Sequence, residues 1–314
     1  MCSLFYGSHS LDSLRVFADL AKVYWHDGQF DIAAELEARV LSDSRQLLGD
    51  RHTATLVAMI NLSSTCLSQL NFRDAIRLAK EAMESGGRIV GRGHMINQLA
   101  MIQLAKSYWC CGRLEKGVSL GEEVYKDSKK HLGKHHPCTL EAMNVLAVMY
   151  RHQGRLSEAV AMSNEVVAGR ARQLGEEHLD TLEAMGISAS AYFVQGCLES
   201  AADLEEKVLH GRTSILGDHH PATLKAMANC TLTYWKQGRW DEAIRLERRL
   251  LERYRKYNEN GPPVTETPPT LDFSKTIALN PCSHVCPVYE GSSYSCRMIG
   301  CALHAHTFID STQL

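Results

Sequence analysis

Histidine recurs through this chain at a spacing of 42 residues, at His52, His94, His136, His178 and His220. Imidazole is a frequent metal ligand and general base. A shared metal needs its ligands within about 2 Å of one ion, and evenly stacked units would hold these rings too far apart, so they read as linker residues. His135-His136 and His219-His220 are the same column with one extra histidine. Gly86-x-x-x-x-Gly91 has the outer spacing of a phosphate loop, but Arg92-Gly93 follows where Lys-Ser/Thr is required. Cys110-Cys111 adjoin on a predicted helix and read as structural thiols rather than a redox centre. Near the C-terminus Cys282, Cys286, Cys296 and Cys301 cluster with His284, His304 and His306. That set could hold one zinc, yet its spacings match no common finger or knuckle. A low-order tail, or a shifted or intronic reading frame, is the simpler account. No Gly-x-Ser-x-Gly or His-Glu-x-x-His occurs, and the sequence assigns no catalytic residue, cofactor or metal.

The spacing belongs to the elements that carry these residues. Gly28, Gly112, Gly154, Gly196 and Gly238 form one column, with Leu70 in the remaining slot. Ala33, Ala75, Ala159, Ala201 and Ala243 form another, with Gly117 in the third unit. Gly7, Gly49, Gly91, Gly133, Gly175 and Gly217 form a third. A strict period of this size means stacked copies of one supersecondary unit. In the fourth unit Pro137 suits a first helical turn. Leu140, Met143, Ala147 and Tyr150 then mark one helical face, and Gly154 ends the helix. Ser157 and Glu158 are expected to open a second helix, as cap and as an acid at the positive dipole end. Ala159, Met162, Val166 and Val167 form its buried stripe, and Leu174-Gly175 ends it. The small residue near its start lets the two helices cross closely. Met59, Met101, Met143, Met185 and Met227, with Phe17 in the first unit, form a core column rather than soft-metal ligands. The expectation is an all-α solenoid of about six helix pairs over residues 1–258, followed by an irregular tail over 259–314.

Bulk properties exclude other classes. The formal net charge is −2; the tail carries about −3 of it, leaving the repeats near +1. That is not the basic footprint of nucleic-acid binding. No apolar run approaches the ~18 residues of a membrane span, and the first residues do not read as a secretory signal. Eleven cysteines, seven of them scattered through the repeats without paired spacing, suit free thiols in a reducing, cytoplasmic setting.

Tyr150-Arg151-His152-Gln153-Gly154-Arg155-Leu156-Ser157-Glu158-Ala159 recurs as Tyr234-Trp235-Lys236-Gln237-Gly238-Arg239-Trp240-Asp241-Glu242-Ala243. With the Leu-Gly-x-x-His-Pro-x-Thr-Leu linkers at 132–140 and 216–224, this resembles the tetratricopeptide repeats of kinesin light chains. It is most similar to the fungal kinesin-light-chain-like arrays that often follow a NACHT or NB-ARC nucleotide-binding domain. The resemblance covers roughly residues 6–258. The second unit departs most, with Leu70-Asn71 for Gly-Arg and Cys66 for the tyrosine; the third has Gln98 for the linker leucine. Trp240-Asp241 and Gly93-His94 echo propeller dipeptides but stand out of register in helical pattern. The array starts mid-unit, since Tyr6-Gly7-Ser8-His9 occupies the Leu-Gly linker column, and a fragment of a longer protein is expected.

The resemblance implies a concave groove, lined by the first helices, that holds a peptide segment of a partner protein. Asp19, Asn61, Gln103 and Asn229 share one groove column, interrupted by Val145 and Ile187. An amide there offers both donor and acceptor to a peptide unit. Trp25, Trp109, Phe193 and Trp235 share a second, with Leu67 and Arg151 between; Lys22, Lys106, Ser64 and Ser190 share a third. Aromatics, cations and amides together suit an extended peptide with acidic and apolar side chains. The leading site residues are Asn61, Gln103, Lys106, Trp109, Asn229 and Trp235. The reading is a non-catalytic interaction scaffold with a protein or peptide partner, neither nucleic acid nor membrane, and room for intramolecular contact from the tail. Two alternatives are the sensor segment of a NACHT/NB-ARC-type signalling hydrolase and a kinesin cargo adaptor. The second ranks lower because no sustained heptads occur.

Overall fold

The computed structural model describes residues 10–260 apart from Asp27. The mid-unit start and the Cys/His tail lie outside the described residues. Among the described residues are twelve helices and no strand. They form six pairs: α1 (Leu11–His26) and α2 (Phe30–Leu48); α3 (Thr53–Ser68) and α4 (Phe72–Ile89); α5 (Met95–Cys110) and α6 (Leu114–His131); α7 (Pro137–His152) and α8 (Leu156–Leu174); α9 (Leu179–Gln195) and α10 (Leu198–Leu216); α11 (Pro221–Gln237) and α12 (Trp240–Asn260).

The histidine column has a structural task. His52, His94, His136, His178 and His220 each stand at the N-cap of a first helix. Each accepts at Nδ1 from the backbone N–H two residues on, at 3.1–3.2 Å. This satisfies one of the orphan donors of a helix start. The linker threonine completes the turn: Thr139 Oγ1 donates to the Gly133 carbonyl at 2.8 Å, as Thr55 does to Gly49 and Thr181 to Gly175. In the second helix of the fourth unit the expected Ser157 cap is not used. Arg155 holds the N-cap position and makes no side-chain cap bond. Its guanidinium reaches forward to Glu158 instead, at 2.6 and 2.7 Å.

The same arginine explains the repeated Tyr…Gln-Gly-Arg…Glu-Ala string. Arg155 lies 3.7 Å over the Tyr150 ring, and both residues bond Glu122 on the preceding α6, at 3.0 and 2.8 Å. Arg239 repeats this over Tyr234, with Glu242 in its own helix and Glu206 on α10. One guanidinium therefore ties a first helix, its partner and the previous unit. Gln153 and Gln237 make further links back, to Glu115 and to the Leu198 carbonyl. The glycine between them adopts positive φ, 79° at Gly154 and 76° at Gly238.

The core is continuous between pairs. Ala33, Ala75, Ala159, Ala201 and Ala243 are fully buried where the helices of each pair cross. At Gly117 the crossing is closer still, since a Cβ would stand 3.0 Å from the Ala105 carbonyl oxygen. The five methionines are buried core residues, as their column required. Gly86, half of the false phosphate loop, makes room on α4 for Asn97, whose Oδ1 would stand 3.0 Å from a Cβ there. Gly91 is the linker glycine, at φ 88°.

Candidate functional site

From α3 to α9 the first helices lie side by side. Among the described residues α3 packs on α5, α5 on α7 and α7 on α9, and no comparable contact joins one second helix to the next. First helices thus line the inner side of the solenoid. On α7 the stripe of Met143, Leu146 and Tyr150 meets the flanking second helices. The opposite stripe, Glu141, Asn144, Val145 and Val148, recurs at i, i+3, i+4 and i+7 and faces inward. The inner face is buried over α3, α5 and α7, and more open at α1 and α11.

Asn61 on α3 and Gln103 on α5 occupy equivalent inner positions on neighbouring helices. Gln103 Nε2 donates a long bond to Ser63 Oγ at 3.4 Å. Its Oε1 is buried without a hydrogen-bond partner, and so is Asn61 Oδ1. Asn144, one inner position earlier on α7, repeats the feature with an unpartnered Oδ1. The three side chains are 8, 0 and 3% exposed. Buried amide oxygens almost always find donors, and leaving one unpaired costs about 1–3 kcal/mol. Three on adjacent helices form a row of vacant acceptors. Asn144 was not among the residues singled out from the sequence. Its signal was polarity in a column otherwise filled by Ala18, Ile60, Ile102, Gly186 and Ala228.

Lys106, one turn beyond Gln103, is already engaged. Its Nζ lies 2.7 Å from Glu141 Oε1, and both side chains are buried. Arg170 on α8 takes the other oxygen of Glu141 at 2.6 Å, and reaches Glu183 at 3.4 Å and the Asp180 carbonyl at 2.8 Å. Burial opposes the Arg170 charge, but Glu141, Glu183 and Asp180 outweigh it and hold its pKa above the ordinary value. The charges alternate in sign from α5 through α7 and α8 to α9. The column spacing did not show this network, because Arg170 enters from a second helix.

Of the other expected residues, Trp109 is half-buried at the end of α5, its ring tilted against His152 with centroids 5.3 Å apart. Asn229 and Trp235 are half-buried on α11, three units along, so the structure does not gather all six residues at one point. Trp235 packs edge-on against Trp240 at 5.1 Å, and Trp25 likewise against Phe30 at 6.1 Å. Both indoles thus pack within their own helix pair. Burial pushes the Cys110 thiol up to about 12, which keeps it protonated at neutral pH. Among the described residues no group of three metal-ligating side chains comes together, and no helix is long and apolar enough to cross a membrane.

Capped helix pairs, an alanine crossing and an inner face of first helices define a helical-repeat solenoid. The tetratricopeptide repeat family model matches residues 12–85, 98–172 and 180–256, and the chain belongs to that family. Among solved structures it is similar to a Podospora anserina protein described as a kinesin light chain with nearly identical TPR-like repeats. That likeness is 25% identical with a TM-score of 0.55, over 65% of this chain and 97% of that one. BtubC from P. vanneervenii gives 18% identity and a TM-score of 0.63, over 76% and 96%. A Rap protein complexed with competence and sporulation factor gives 12% identity and 0.58, over 79% and 65%. The latter two share the fold. No curated protein sequence matches the chain.

Proposed function

We propose that this array is a non-catalytic scaffold whose inner face holds an extended segment of a partner protein. The observation that carries the reading is the row of vacant acceptors at Asn61, Gln103 and Asn144. A peptide backbone supplies N–H donors at regular intervals, and each bond formed relieves a desolvated oxygen. Asn229, half-buried on the more open α11, places the same amide chemistry further along the array. The cation expected at Lys106 is neutralised by Glu141, so the central part of the face favours backbone and apolar contacts over an acidic side chain. Repeat proteins of this fold commonly use the inner surface in this way, and the related Rap fold is seen with a bound factor. Replacing Asn61 and Asn229 together by alanine is expected to weaken a native partner about tenfold or more while the helical circular dichroism stays unchanged. Equal affinity in the folded double variant would remove the assignment.

A further inference from the structure

In the fourth and sixth units the arginine at the start of the second helix clamps two carboxylates. Arg155 bonds Glu158 in its own helix and Glu122 on the preceding second helix, and Tyr150 bonds the same Glu122. Arg239, Tyr234, Glu242 and Glu206 repeat the set. The third unit keeps the tyrosine and the arginine, as Tyr108 and Arg113, and its turn has the same geometry. The Arg113 N–H donates to the Tyr108 carbonyl at 2.9 Å, as Arg155 does to Tyr150 and Arg239 to Tyr234. Both carboxylates, however, are replaced by cations. Lys116 stands at the Glu158 position and Lys80 at the Glu122 position.

The clamp of the third unit is therefore open. Among the described residues the Tyr108 hydroxyl and the side chains of Arg113 and Lys116 have no hydrogen-bond or ion-pair partner, and both cations are exposed. Lys80 makes one loose ion pair, at 3.7 Å to Glu84. Tyr108 and Lys116 line a cleft of about 450 Å³ between α4 and α6, floored by Met83, Leu104 and Leu120. That is room for a short peptide segment. Two acids also line it, and both are engaged elsewhere: Glu115 accepts from Gln153 at 3.1 and 3.2 Å, and Glu123 pairs with Arg92. Arg113 is the N-cap of α6, so the positive end of that helix dipole adds to the field of the cations.

We propose that this outer cleft docks an acidic segment of a partner protein, which supplies the two carboxylates that the repeat itself provides in the fourth and sixth units. The occupant follows from charge and register. The groups equivalent to Tyr108 and Arg113 hold a carboxylate at 2.8 and 3.0 Å in the fourth unit. Lys80 and Lys116 add charge-assisted donors at the same place. The apolar floor accepts an aliphatic side chain next to the acids. The cleft lies on the second-helix side of the array, away from the inner face, so the inference does not rest on the groove reading.

Titration of the full chain with a capped Glu-Glu-Leu tripeptide, followed by NMR of the backbone amides, tests it. The expected result is a set of shifts at Tyr108, Arg113 and Lys116 that saturate in the millimolar range and are absent with Gln-Gln-Leu. Lys80→Glu combined with Lys116→Glu rebuilds the clamp of the fourth unit. It should weaken binding at least about tenfold with the helical circular dichroism unchanged. Lys130→Glu combined with Lys207→Glu, an equal change of charge outside the cleft, should bind as the wild type does. So should the Asn61→Ala, Asn229→Ala double variant, which separates the cleft from the inner face. A wild-type chain without saturable shifts at these residues overturns the inference, and so does an equal loss in both charge-reversed variants. Inorganic phosphate that binds as tightly as the tripeptide would mark a general anion site and overturn the assignment to an acidic segment.

Discussion

Single residues carry the strain and the titration in this array. Leu70 takes the glycine position of the turn between α3 and α4 at φ 62°. A side chain in that left-handed region costs about 1–2 kcal/mol, and Leu70 is largely exposed, so little burial offsets the cost. Leu70→Gly is expected to stabilise the protein by about 1 kcal/mol, read as an upward shift in the denaturant midpoint. Glu37 is the most perturbed carboxyl. Burial pushes its pKa from 4.5 to about 8, and the Thr65 hydroxyl lowers it only in part. Glu205, beside Thr233, is raised in the same way to about 7. A raised folded-state pKa means that the folded chain keeps a proton the unfolded chain has released. Stability from Glu37 is thus complete below pH 4.5 and is lost as pH rises towards 8. The unfolding free energy should fall on the order of 2–4 kcal/mol across that window, and Glu37→Gln should flatten the fall. A pH profile identical in the variant would refute this. The glycine and methionine columns were legible in the sequence because their roles depend on periodicity alone. The protonated carboxyls were not, because the pattern of types cannot say that an acid lies in a dry joint.

Among the elements, helix pairing followed from the period, and both helices of the fourth unit stand where its pattern placed them. The helix starts were misjudged in part. Histidine is a weak prior for an N-cap, so the five caps read as linker residues, while Ser157 looked like a cap and is not. The interlocks between elements were the least legible. Arg155 is easily seen as part of a motif, but its reach to Glu122 spans two units. The Lys106–Glu141–Arg170–Glu183 network couples four helices through buried charges. Removing one member leaves the others uncompensated in a medium of low dielectric. Glu141→Ala is expected to cost about 3–5 kcal/mol, whereas Glu158→Ala, which breaks an exposed pair with Arg155, should cost far less, because solvent screens that pair. Chemical denaturation of the two variants decides the point; similar losses would show that the buried network does not brace the centre of the array.

At the scale of the whole molecule, the solenoid offers an inner face lined by its first helices. The amide column was visible from Asn61 to Asn229, but which members are left without partners depends on the neighbouring helices. Lys106 and the tryptophans show the limit of reading a face by register, because ion pairs and ring packing within the array take up groups that a helical column displays as available. The central claim is that the amide column of the inner face, from Asn61 to Asn229, receives a peptide. The most direct measurement is calorimetric titration of peptides, selected from a random library against the full chain, into wild-type protein and into the Asn61→Ala, Asn229→Ala double variant. The account predicts peptides that bind the wild type and lose about tenfold or more in affinity to the folded variant. Peptides that bind both proteins equally would contradict it, as would a library from which nothing is enriched.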